Sequence, residues 1–141
     1  MDTVYDTTVI SLANGDLVGR KRGNALDKRL SALEQFLKGH RVAWYNNCLL
    51  NEYSAHILEY RNDITEIFFA MLVDRGRKAK KNTLTRHQHA LLRSIRWPSH
   101  DQHLLAAALE GRSTTLFVTE VTLYNCAASV KRIFDIRVKL L

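Results

Sequence analysis

Apolar positions along the chain alternate between short β-branched runs and segments with helical spacing. Val4-Tyr5-Asp6-Thr7-Thr8-Val9-Ile10-Ser11-Leu12 is β-branched and flanked by polar residues, and predicts a strand with an acid in its middle. A polar, glycine-containing stretch from Asn14 to Asn24, with the basic triplet Arg20-Lys21-Arg22, reads as a loop. Leu26, Leu30, Leu33 and Leu37 then recur every three or four positions, which predicts an amphipathic helix over 25–38 ended by Gly39. Arg41 to Tyr45 reads as a short strand. Asn46 or Asn47 can cap a helix carrying Leu49, Leu50, Tyr53, Ile57, Leu58 and Tyr60. Asn62 or Asp63 can cap the next, through Ile64, Ile67, Phe68, Met71 and Leu72.

The second half repeats the alternation. Arg75, Arg77, Lys78, Lys80, Lys81 and Arg86 crowd a basic stretch that reads as a helix end and an exposed loop. Thr85 can cap a short helix that Pro98 terminates. Ser99 can cap a helix over 100–110, packed through Leu104, Leu105, Ala107, Ala108 and Leu109 and ended by Gly111. Thr114 to Thr119 is a β-branched run without alternation, which suits a strand buried on both faces. Residues 122–134 read as helix. Ile136 to Leu140, alternating apolar and basic, reads as an edge strand. Strands alternating with helices predict an α/β fold: a three-layer sandwich around a central, mainly parallel sheet.

Composition changes little in that picture. The 141 residues suit one domain, 1–141, and the scattered glycines and single proline mark no linker. No apolar run spans a membrane, the first residues lack the pattern of a signal peptide, and Cys48 and Cys126 make no disulfide framework, so a cytoplasmic protein is expected. The net charge of +7 points to a polyanionic partner.

Ligands of parallel α/β sheets bind beyond the carboxyl ends of the strands. On that rule Asp6, Glu52, Asp101 and Glu120, far apart in sequence, converge on one rim. Clustered carboxylates repel one another unless a cation lies between them, and Asp and Glu oxygens suit Mg²⁺ or Mn²⁺. Each acid has a plainer alternative: a strand-edge acid for Asp6, an exposed helix residue for Glu52, a helix-dipole partner for Asp101, and a solvated strand end for Glu120. His103 reads as a helix-face residue, and Cys48 sits in no nucleophile motif.

On these residues the chain resembles the PIN-domain nucleases, a family that includes RNase toxins of bacterial toxin–antitoxin pairs. Tyr5-Asp6-Thr7-Thr8-Val9-Ile10 is similar to the family's opening motif, with Thr8 where Asn or Ser is commoner. Leu49-Leu50-Asn51-Glu52-Tyr53 is similar to its second acidic motif, and Asp101 to Leu109 to its Asp-led, alanine-rich helix. Phe117-Val118-Thr119-Glu120 is similar to the strand that follows, although the family's acid falls at the position held here by Val121. The resemblance implies a metal-dependent ribonuclease leaving a 5′-phosphate and a 3′-hydroxyl. Asp6 and Asp101 would be ligands to Mg²⁺ or Mn²⁺, and Glu52 would hold the metal or position the attacking water. Glu120 would be a fourth catalytic acid. Thr7 and Thr119 would bond the carboxylates or the phosphate, and Arg20, Lys21 and Arg22 would meet RNA. It also implies an antitoxin protein and a second copy of the chain as partners. The alternative is a PIN-like module that has lost catalysis and serves RNA or protein binding.

Overall fold

A computed structural model describes residues 1–13, 24–56 and 62–141 of the chain. Its core is a five-stranded parallel sheet of β1 (Asp2–Tyr5), β2 (Val42–Tyr45), β3 (Arg77–Lys78), β4 (Thr115–Val118) and β5 (Arg137–Leu140). The strand order is β3-β2-β1-β4-β5. The chain steps outward from β1 to β3, returns to β4 on the other side of β1, and continues to β5. Right-handed crossovers therefore place the helices of the two halves on opposite faces, which makes three layers. The reversal occurs between β1 and β4, and the crevice beyond their carboxyl ends is the topological switch point.

On the first half, α1 (Thr7–Ala13), α2 (Asn24–Leu37), α3 (Asn47–His56) and α4 (Asp63–Arg75) pack among themselves. On the second, α5 (Arg86–Ser94) precedes α6 (Gln102–Glu110), which lies against β1, β2 and β4; α7 (Val121–Tyr124) and α8 (Ala127–Phe134) pack on β5. Among the described residues no helix is long and apolar enough to cross a membrane.

Many local signals act as the sequence indicates. Gly39 ends α2 with φ of +78°, a conformation open to glycine at little cost. Asn62 caps α4 through Thr65 N–H, and Thr85 and Gln88 form a reciprocal capping box on α5. β4 is buried along its whole length, and β5 is the edge strand beside it.

The structure corrects three assignments. The segment from Val4 to Leu12 is not one strand. β1 stops at Tyr5 and α1 starts at Thr7, because Val9, Ile10 and Ala13 recur at helical spacing and all are buried. The basic stretch after Arg75 holds a two-residue strand, β3, paired with Trp44 and Tyr45 of β2. Ser99 does not cap α6; a 3₁₀ turn over Ser99–Asp101 leads into it. Ile57, Leu58 and Tyr60, read as helical, lie outside the described residues.

Asn46 joins the layers. It is fully buried, its Oδ1 accepts from Leu49 N–H at the start of α3, and its Nδ2 donates to the carbonyls of His103 at 2.9 Å and Lys81 at 3.2 Å. Asn46→Ala removes a helix cap and strands buried polar groups, so it is expected to cost about 2–4 kcal/mol, read as a lowered urea midpoint at unchanged slope.

Candidate functional site

The strand-to-helix junction after β1 carries the first acid. Asp6 is 6% exposed, and its backbone N–H donates to Phe117 O of β4 at 3.0 Å. Glu120 directly follows Thr119 beyond the end of β4, is exposed, and leads into α7. These two acids therefore flank the switch point. Glu52 comes from α3 and Asp101 from the turn before α6, both half-buried.

The hydroxyls arrange this pocket. Thr7 Oγ1 donates to Glu52 Oε2 at 2.9 Å, and Thr8 Oγ1 donates to Asp6 Oδ2 at 3.1 Å. Thr8 also meets Thr119 Oγ1 at 2.5 Å; with the Thr8 proton on Asp6, Thr119 is the donor there. Thr119 thus reaches the carboxylates through Thr8 rather than directly. His103 Nε2 lies 3.0 Å from the same Glu52 oxygen. The carboxylate accepts, so Nε2 carries the proton. Arg20, Lys21 and Arg22 lie outside the described residues.

The four acids share one electrostatic field. Burial first, then the Asp101 and Glu120 carboxylates, push Asp6 up to about 7, against the Thr8 hydroxyl and the Thr7 backbone N–H. Burial also raises Asp101. Glu120 and Glu52 add to that rise, while His100 and His103 oppose it. Asp101 stands at the N-terminus of α6 but makes no side-chain cap there. Its Oδ2 is buried without a hydrogen bond of good geometry, although His100 Nε2 stands 3.2 Å away.

A buried carboxylate oxygen with no well-formed hydrogen bond, beside other acids that repel it, fits a hard cation such as Mg²⁺ or Mn²⁺. The tightest grouping is nevertheless a different one. Among the described residues, Cys48, Glu52 and His103 bring one ligand atom each within 4.8 Å of one another. Only Glu52 belongs to the expected metal set of Asp6, Glu52 and Asp101. His103 is 2% exposed and bound to an acid, not a plain helix-face residue. The spacing of Cys48 and Glu52, four residues apart on one helix, is the signal that shows them on a common face.

The basic stretch reaches the same rim. Ala79 N–H donates to Tyr45 O, so the chain leaves β3 at the carboxyl end of the sheet. Lys78, Lys80, Lys81 and Arg86 are exposed and, among the described residues, form no ion pair. No protein-family model matches the chain, and neither a curated protein nor a solved structure does.

Proposed function

We propose that the chain is a metal-dependent ribonuclease that hydrolyses RNA phosphodiester bonds in the cytoplasm, as the toxin of a toxin–antitoxin pair. The observation that carries this reading is the meeting of Asp6, Glu52, Asp101 and Glu120 in one field at the switch point of a parallel sheet. Asp6, Asp101 and Glu52 would hold Mg²⁺ or Mn²⁺. When bound, such an ion supplies charge for the scissile phosphate and an activated water. The chain's own residues do the positioning. Thr7 fixes Glu52, and Thr119 acting through Thr8 fixes Asp6. Lys78, Lys80 and Lys81 supply positive charge beside the rim, which suits the phosphate backbone and makes binding weaken with salt. The same charge suits an acidic antitoxin segment. A second copy of the chain is a further partner, proposed on the resemblance alone.

A second reading, an RNA-binding or protein-interaction module with impaired catalysis, has a specific observation behind it. Val121, where the resembled family carries an acid, is 60% exposed, and Glu120 before it is exposed rather than enclosed. End-labelled RNA incubated with the protein in Mg²⁺, Mn²⁺ or EDTA separates the two. The nuclease is expected to cut in either metal and to stop in EDTA. Retention of RNA without cleavage in both metals supports the module and removes the enzyme.

A further inference from the structure

We propose that Cys48, Glu52 and His103 form a second metal site, selective for a borderline divalent ion such as Zn²⁺ and sharing only Glu52 with the acid pocket. The donor set is one thiol, one carboxylate and one imidazole, all within 4.8 Å of one another. A tetrahedral zinc site, with metal–ligand bonds near 2.0–2.3 Å, holds its ligand atoms about 3.3–3.6 Å apart. The Glu52 Oε2 to His103 Nε2 separation of 3.0 Å is already close to that edge. The proton they share lies between the atoms that the ion would bridge. Cys48 stands one turn before Glu52 on α3, and its Sγ lies within 4.8 Å of both other ligand atoms.

The surroundings are built for ligation. His103 is fixed by its place in α6, whose carbonyl at that residue takes the Asn46 side chain. Cys48 N–H is held by Asn82 Oδ1 at 3.1 Å, which fixes the first turn of α3. Thr7 Oγ1 donates to Glu52 and orients the carboxylate from outside the ligand set, as partners of metal-bound carboxylates do. Three protein ligands would leave the fourth tetrahedral position to a water, and Cys48 is only half-buried. Thiolate and imidazole favour zinc, whereas Mg²⁺ prefers oxygen donors and binds thiolate poorly. Binding releases the Cys48 proton to solvent and uses the Nδ1–H tautomer of His103. The site stands whether or not the acid pocket cuts RNA.

Equilibrium dialysis of the metal-free protein against Zn²⁺ in excess Mg²⁺, followed by elemental analysis, tests it. The expected result is one Zn²⁺ per chain, a near-ultraviolet thiolate-to-metal band when Co²⁺ is used instead, and protection of Cys48 from a thiol reagent. Cys126 is buried and serves as the internal reference. Cys48→Ser is expected to abolish the Co²⁺ band and weaken Zn²⁺ binding at least about 100-fold. Asp6→Asn, which changes only the acid pocket, is expected to keep both. His103→Gln provides a second variant in case Cys48→Ser fails to fold. Failure of the wild-type protein to retain Zn²⁺, or equal retention by Cys48→Ser, overturns the site. Loss of the Co²⁺ band in Asp6→Asn would overturn its separateness from the acid pocket.

Discussion

Asp6→Asn is expected to lower metal-dependent RNA cleavage by at least about 100-fold while making the metal-free protein more stable above neutral pH. Both effects come from one carboxylate. Asp6 titrates from an ordinary value of 3.8 up to about 7 in the folded chain, chiefly through burial and then through Asp101. The sign follows from proton counts. Between those two values the folded state holds a proton that the unfolded chain has lost, so stability falls as pH rises through that window. Above it the full cost is present, gross of order a few kcal/mol at 1.36 kcal/mol per unit. Asparagine keeps the shape and does not titrate. The variant should therefore match the wild type near pH 4 and exceed it at pH 8 by about 1–3 kcal/mol, roughly 3–10 °C in Tm. Thermal denaturation in EDTA at both pH values checks this. Added Mg²⁺ should narrow the gap, because a cation relieves the repulsion only where the carboxylate remains. A variant that is less stable at pH 8, or a gap that is flat with pH, would show that burial and the neighbouring carboxylates do not disfavour the ionised Asp6. Wild-type cleavage by Asp6→Asn would remove its catalytic assignment.

The same strand end shows what the sequence carries and what it does not. Helical spacing in 25–38, the Asn62 and Thr85 caps and the unalternated β4 run were legible because they are local. The start of α1 was not. Val4, Thr7, Thr8, Val9 and Ile10 favour a strand by propensity, and only packing against α2 and α3 turns the second half into a helix. β3 has two residues, both basic, and owes its existence to pairing with Trp44 and Tyr45. The rule for parallel sheets directs attention to these acids, although Asp6 reads from propensity as mid-strand and stands instead at the strand-to-helix junction, and Glu52 lies within α3. Their hydrogen bonds were not. Thr7 meets Glu52 across 45 residues and His103 meets it across 51, and no local pattern marks such pairs. Cys48 and Glu52 share a face of α3 by their spacing, but His103 is ordinary on its own helix, and the grouping of three exists only where α3 and α6 approach.

Phe68→Ala is expected to cost about 3–5 kcal/mol, a large part of the roughly 5–15 kcal/mol that holds a domain together. Phe68 is fully buried, and its ring packs at 5.5 Å from Phe36, 5.8 Å from Tyr53, 6.0 Å from Tyr5 and 5.7 Å from Phe69. Alanine would open a cavity bordered by four aromatic rings, which cannot collapse together to fill it. The damage would not be uniform. Tyr53 donates its hydroxyl to the carbonyl of Tyr5, the last residue of β1, and Asp6 follows directly. Phe68 therefore supports both the strand end that presents Asp6 and the helix that presents Glu52. In the variant, cleavage should fall off with temperature well below the midpoint of global unfolding, because the junction after Tyr5 loosens first. Val138→Ala, a core truncation on the edge strand β5 away from this junction, should lower the midpoint less and leave the two curves together. Parallel loss of activity and structure in Phe68→Ala would mean that the aromatic cluster serves the fold alone, with no special share in seating the acids.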